Sequence, residues 1–201
     1  MTLDTLEFQA SCSLPTQWGV FELHAFIEKT TGKEHLAITL GEFGPHTPVL
    51  ARIHSECMTG DTLFSLRCDC GPQLQDGFKK IAQEGCGILL YLRQEGRGIG
   101  LVNKIKSYQL QEQGADTVQA NRLLGFGDDE RDYAICKTML NHFNIRSLKL
   151  LTNNSSKIVA IEELGFDVLR VEHHIRPNPY NSNYLKTKEA KMGHILAATD
   201  P

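Results

Sequence analysis

Cys57, Cys68 and Cys70 are three of six cysteines in a chain of 201 residues, and two of them are separated only by Asp69. Thiolates this close favour zinc or another soft metal ion. The spacing predicts how they meet. If a strand over Thr62 to Arg67 runs on to Cys70, alternation puts Phe64, Leu66, Cys68 and Cys70 on one face. The Thr59-Gly60-Asp61 turn folds the preceding strand back, so that Cys57 joins them. Three protein ligands leave the fourth tetrahedral corner to water, which is the pattern of a catalytic zinc. Two other readings stay open: a closed structural site completed by His54, which alternation places opposite Cys57, and no metal at all. Three thiolates also pass much negative charge to the ion, so a neighbouring base or hydrogen-bonding group would help to acidify its water.

Two further stretches offer donors to an anion. Between Leu92 and Leu101, Gly96, Gly98 and Gly100 permit close backbone approach, and the Arg97 guanidinium has the fork that matches a phosphate. Thr152-Asn153-Asn154-Ser155-Ser156-Lys157 forms a second candidate cradle between a strand and a helix. The first spacing is neither the dinucleotide fingerprint nor the P-loop, and a plain glycine turn is its ordinary alternative. Cys12, Cys86 and Cys136 read as incidental, Cys86 as a small buried thiol opening an apolar run.

The elements that must position these residues follow from periodicity. The first half reads as mostly strands: Phe21, Leu23, Ala25 and Ile27 alternate with polar neighbours, and β-like runs cover His35 to Leu40 and Pro48 to His54. Strand and helix then alternate. Helices are predicted over Gln73 to Glu84, Ile99 to Gln113, Asp129 to Phe143 with Asp128 as cap, and Ser155 to Leu164. A buried strand occupies residues 86–92, further strands cover 147–151 and 167–171, and a last helix runs over Tyr184 to His194. The sum predicts an α/β fold, a single three-layer αβα domain over residues 1–201 with a mixed β-sheet.

Composition narrows the function. A chain 41% hydrophobic and 22% charged builds a core of its own, and a formal charge of −3 argues against a dedicated nucleic-acid binder. A small anion needs only a local basic pocket. No apolar run approaches a membrane span, and the N-terminus lacks a secretory pattern, so a cytoplasmic location is expected, where clustered cysteines bind metal rather than form disulfides.

Arg52-Ile53-His54-Ser55-Glu56-Cys57 followed by Arg67-Cys68-Asp69-Cys70-Gly71 resembles the signature of the GTP cyclohydrolase II family. Further similar blocks come in the family's order: Arg93-Gln94-Glu95-Gly96-Arg97, Asn103-Lys104-Ile105, Asp129-Glu130-Arg131-Asp132-Tyr133, Leu151-Thr152-Asn153-Asn154, and Lys188 to His194. The resemblance covers residues 48–195 and implies release of guanine C8 as formate, release of pyrophosphate, and a diaminopyrimidine ribosylamino phosphate for riboflavin synthesis. It implies Zn2+ on Cys57, Cys68 and Cys70, one ion per subunit, Mg2+ on the phosphates of GTP, and a homodimer. GTP contacts fall by resemblance on Arg52, Ile53, His54, Ser55, Glu56, Gln73, Glu95, Gly96, Arg97, Thr117, Thr152 and Lys157.

The catalytic residues implied are Tyr108 beside C8, Arg131 as nucleophile at the α-phosphate, and Asp129 as its proton acceptor. Helical spacing gives Tyr108 a rival role, packing with Ile105. A guanidinium is a poor nucleophile unless a base takes its proton, whereas it readily stabilises charge on a phosphoryl group. Two other functions compete. A zinc nucleobase deaminase would carry His-x-Glu and Pro-Cys-x-x-Cys, and here Cys-x-Cys stands instead. A zinc-stabilised binding module would need a closed metal site and a basic surface.

Overall fold

The protein is described here by a computed structural model that covers residues 5–44 and 47–193. His194, the end of the expected last helix and of the C-terminal block, lies outside the described residues. Four strands open the chain: β1 (Leu6–Thr16), β2 (Gly19–Glu28), β3 (Glu34–Leu40) and β4 (Val49–Ser55). Then follow α1 (Met58–Asp61), α2 (Cys70–Glu84), β5 (Gly87–Leu92), α3 (Leu101–Glu112), α4 (Thr117–Leu123) and α5 (Ile135–His142). The chain closes with β6 (Ser147–Leu151), α6 (Ser155–Glu163), β7 (Asp167–Val171) and α7 (Ser182–Met192).

All seven strands join one sheet in the order β1-β2-β3-β5-β4-β6-β7. β1, β2, β3 and β5 pair antiparallel, while β5, β4, β6 and β7 pair parallel. The sheet is therefore mixed, as expected. Its two faces carry two cores: Leu50, Leu89 and Leu151 pack with Ile81 of α2, and Ala51, Ile53, Ile88 and Leu150 pack with Met139 of α5 and Ile161 of α6. Helices on both faces make the three αβα layers.

β4 shows why the register is fixed. Ile53 is fully buried on the α5 and α6 face, and alternation sends Arg52 and His54 to the other. A one-residue slip would drive both polar side chains into the apolar layer and forfeit about 2 to 3 kcal/mol of burial at Ile53 alone. In α2, Leu74, Phe78, Ile81 and Ala82 make the inward stripe, and Gly85 ends the helix at φ 76.

Two expectations are corrected. Thr62 to Arg67 is not a strand: the chain makes α1 and then an irregular loop in which Leu63, Phe64 and Leu66 are exposed. Strand propensity there finds no neighbour to pair with, and Cys70 is instead the first residue of α2. The helix expected from Asp129 starts only at Ile135, and Asp128 caps nothing but pairs with Arg122. The Asp129 carboxylate takes the backbone N–H and the guanidinium of Arg131, a local bonding pattern that competes with helix formation. Helix α4, with a capping box between Asp116 and Gln119, went unforeseen because Gly114 reads as a stop.

Candidate active site

A cleft opens where the four parallel strands end. Ser55 and Cys57 follow β4, Glu95 to Arg97 follow β5, Thr152 to Asn154 follow β6, and His173 follows β7; all of them line it. α2, α3 and α7 complete the walls through Gln73, Tyr108 and Tyr184.

The three cysteines meet by a route other than the expected strand. Cys57 ends the segment after β4, α1 turns the chain back, and Cys68 and Cys70 sit at the start of α2. Their sulfurs all lie within 4.8 Å of one another, and among the described residues they are the cluster able to hold a metal ion. Cys57 and Cys68 Sγ are 3.7 Å apart. Zinc–sulfur bonds of about 2.3 Å in a tetrahedron require about 3.8 Å, so the donor set fits zinc. Gly60 makes the room, since a Cβ there would stand 2.8 Å from Cys68 Sγ and 3.2 Å from Cys57 Sγ.

Asp61 fixes the other end of α1. Its carboxylate accepts from the Cys57 backbone N–H at 2.9 Å and from the Tyr91 hydroxyl at 2.9 Å, and both its oxygens lie 3.1 Å from His54 Nε2. His54, the alternative fourth ligand, is thus engaged elsewhere. Lys104 reaches from α3 into the thiol cluster, donating to Cys57 Sγ at 3.1 Å and to Glu95 Oε1 at 2.8 Å. Hydrogen bonds from Cys68 and Cys70, with the Lys104 ammonium, push the Cys57 thiol far down. The same sharing pushes Cys68 up to about 11 and Cys70 well above its usual thiol value. Burial works against charge on Lys104, but the Cys57 thiolate and Glu95 outweigh it and raise its pKa. Tyr108 stands beside the cluster with its hydroxyl 3.4 Å from Thr59 Oγ1, and burial pushes its phenol up to about 12. It is a protonated donor at neutral pH.

The rest of the cleft is cationic. Arg52, Arg97, Arg131, Lys157 and Lys188 all line it. Arg52 Nη1 donates to the Leu151 carbonyl at 2.9 Å, leaving Nε buried without a partner, and Arg97 Nη1 is likewise buried and unpaired. Arg97 is held at φ 62, a conformation costly for a residue with a side chain, and beside it a Cβ on Gly98 would stand 2.7 Å from the Glu130 carbonyl. Burial, then Arg52 and Arg131, hold the Lys157 pKa well below its usual value. An anion would relieve that repulsion. Burial opposes charge on Arg131, yet the two-pronged Asp129 pairing raises its pKa above the usual arginine value.

Of the residues singled out from the sequence, Arg52, His54, Ser55, Glu56, Gln73, Glu95, Gly96, Arg97, Thr117, Thr152, Lys157, Tyr108, Arg131 and the three cysteines line this one cleft. Two do not. Ile53 is core, and only its carbonyl turns toward the site, accepting from Lys157 Nζ at 2.6 Å. Asp129 stands behind Arg131. Sequence reasoning gave no role to Lys104 or the Asp69–Lys188 pair, 2.8 Å apart, which ties α7 to the cysteine segment, and took Asp61 only as part of a turn. Their one signal was position: each lies in or beside a block of the family pattern.

A cleft at the carboxyl ends of parallel strands is how open α/β enzymes build their active sites. Comparison with known proteins gives the family within that class. A family model described as GTP cyclohydrolase II matches residues 7–173. The GTP cyclohydrolase-2 of Hahella chejuensis is 57% identical over 193 residues, 96% of this chain and 93% of that one. That of Azotobacter vinelandii is 57% identical over 192 residues, 95% and 92% of the two chains. Among solved structures, RibBX of A. baumannii, a two domain 3,4-dihydroxy-2-butanone 4-phosphate synthase, gives a TM-score of 0.40 at 20% identity over 75% of this chain and 35% of that one. The chain belongs to the GTP cyclohydrolase II family and is a hydrolase.

Proposed function

We propose that this enzyme hydrolyses GTP, presented with Mg2+ on its phosphates, to formate, pyrophosphate and a diaminopyrimidine ribosylamino phosphate, the opening step of riboflavin synthesis. The observation that carries the reading is one cleft with three clustered thiols at one end and several cations around the rest. A guanine ring and a triphosphate need those two surroundings together. Cys57, Cys68 and Cys70 would hold the zinc ion, one per subunit. Bound there, it would supply Lewis acidity and acidify water for attack on C8.

The chain's own residues do the rest. Tyr108, protonated and beside the thiols, donates a hydrogen bond to the group opening at C8. Arg97, Arg52, Lys157 and the backbone of residues 96–98 hold the triphosphate, with Thr152, Thr117, Gln73, Ser55 and Glu56 closing around the nucleotide. Arg131 acts as a charge clamp at the α-phosphate rather than as a nucleophile, because its pairing with Asp129 keeps it protonated. Asp129 orients that guanidinium. We assign the enzyme to the cytoplasm, as a homodimer of single-domain subunits that needs no nucleic acid; no helix among the described residues is long and apolar enough to cross a membrane.

Product analysis tests the reading. Zinc-loaded protein with GTP and Mg2+ is expected to release formate and pyrophosphate in equal amounts. Release of ammonia would identify a deaminase instead, and absence of turnover would leave a binding module.

A further inference from the structure

We propose that Lys104 is the positioning and charge-compensating residue of the metal centre, aimed by Glu95 at the Cys57 sulfur. The proposal rests on the reading that the three cysteines hold zinc. A dication held by three thiolates leaves one net negative charge in a buried site, and such a charge is costly unless it is paired. Lys104, itself buried, places a positive charge at the sulfur, its Nζ 3.1 Å from Cys57 Sγ; Glu95 adds a negative charge of its own, so the compensation is local to Cys57. The ammonium is held against displacement. Glu95 Oε1 accepts from it at 2.8 Å and from the Gly96 N–H at 2.8 Å, and Glu95 Oε2 accepts from the Met58 N–H at 2.6 Å.

The path therefore closes on itself. Met58 is the residue after Cys57, so the carboxylate that aims Lys104 also fixes the backbone next to the sulfur that Lys104 serves. A donor on a metal-bound thiolate draws electron density from sulfur and makes it a poorer nucleophile. The arrangement is asymmetric: Lys104 bonds to Cys57, whereas Cys68 lies just before α2 and Cys70 opens it. One cysteine of the three should thus be protected electronically.

Lys104→Met removes the charge and keeps most of the bulk, and Lys104→Arg keeps the charge. Two readouts besides turnover report on the sulfur. In protein loaded with Co2+ in place of zinc, the sulfur-to-cobalt charge-transfer band is expected to move to longer wavelength in Lys104→Met and to stay near the wild-type position in Lys104→Arg. In zinc-loaded protein, alkylation by iodoacetamide, followed residue by residue, is expected to quicken about tenfold at Cys57 in Lys104→Met, with Cys68 and Cys70 unchanged. An unmoved band together with unchanged alkylation at Cys57 would overturn the proposal, and so would an equal rise at all three cysteines, which would mean a loosened fold. Wild-type protein that binds neither metal would overturn the zinc reading itself, a result separable from the others by metal analysis before any variant is made.

Discussion

In the proposed reaction, two single residues, Tyr108 and Arg131, divide the chemistry. Tyr108 lies among groups that leave its phenol protonated, so its part is to donate a hydrogen bond. Tyr108→Phe deletes one oxygen and little packing. Formate release is expected to fall about a hundredfold, with zinc content unchanged by elemental analysis; undiminished release would assign Tyr108 to packing beside Ile105. Arg131 is held by Asp129 through Nε at 2.8 Å and through a second, shorter contact from Nη2. A guanidinium so paired stabilises phosphoryl charge and gives up no proton easily. Arg131→Lys keeps charge but loses the fork, and turnover is expected to drop roughly 10²- to 10³-fold. Labelled GTP should leave no label on denatured wild-type protein. Label that persists in the wild type and vanishes in Arg131→Lys would establish the covalent adduct instead.

Among the elements, the close approach of α1 and α2 makes the cysteine cluster. A Cβ on Gly60 would stand 2.8 Å from Cys68 Sγ, and one on Gly71 would stand 2.2 Å from the Gly60 carbonyl. Gly60→Ala must therefore push the thiols apart. A loss of about tenfold or more in zinc affinity, measured by competition with a chelator, is expected alongside intact helix content; unaltered affinity would show that the cluster tolerates wider spacing. These same elements mark the limit of sequence reading. The cysteines were legible as a set because their types and closeness survive any local conformation, and β4 and β6 because their runs of buried apolar residues have one stable solution. Residues 62–67 were misread because Phe64, Leu66, Cys68 and Cys70 carry strand-like alternation, yet the segment pairs with no strand and Cys70 opens α2 instead. Asp129 to Ala134 was misread because Asp129 bonds to its own backbone neighbour, a choice that periodicity does not record. Lys104 on α3 could be seen in a family block, but its aim at Cys57 depends on how α3 packs against a loop far away in the chain.

Over the whole molecule, burial has placed several titratable groups in neutral form. His24, His35, His54 and His173 are all buried, and burial is the leading cause that lowers each pKa, to about 2 for His173. Their folded values lie below the unfolded value of 6.5, so unfolding takes up protons as soon as the medium falls beneath it. Stability is thus full above pH 6.5 and declines below it, each histidine contributing up to about 1.4 kcal/mol per pH unit. Urea midpoints should fall between about pH 7 and about pH 5, before the carboxylates titrate; a flat profile over that range would mean that these histidines are charged in the fold. In the proposed reaction, zinc held by Cys57, Cys68 and Cys70 would supply the Lewis acidity for ring opening in the cleft that would also take the triphosphate. Graded return of zinc to chelated protein, with formate release from GTP measured at each step, tests it most directly. The rate is expected to rise in proportion to bound zinc and to level off at about one ion per subunit. Full formate release from protein shown to carry no metal would contradict the account.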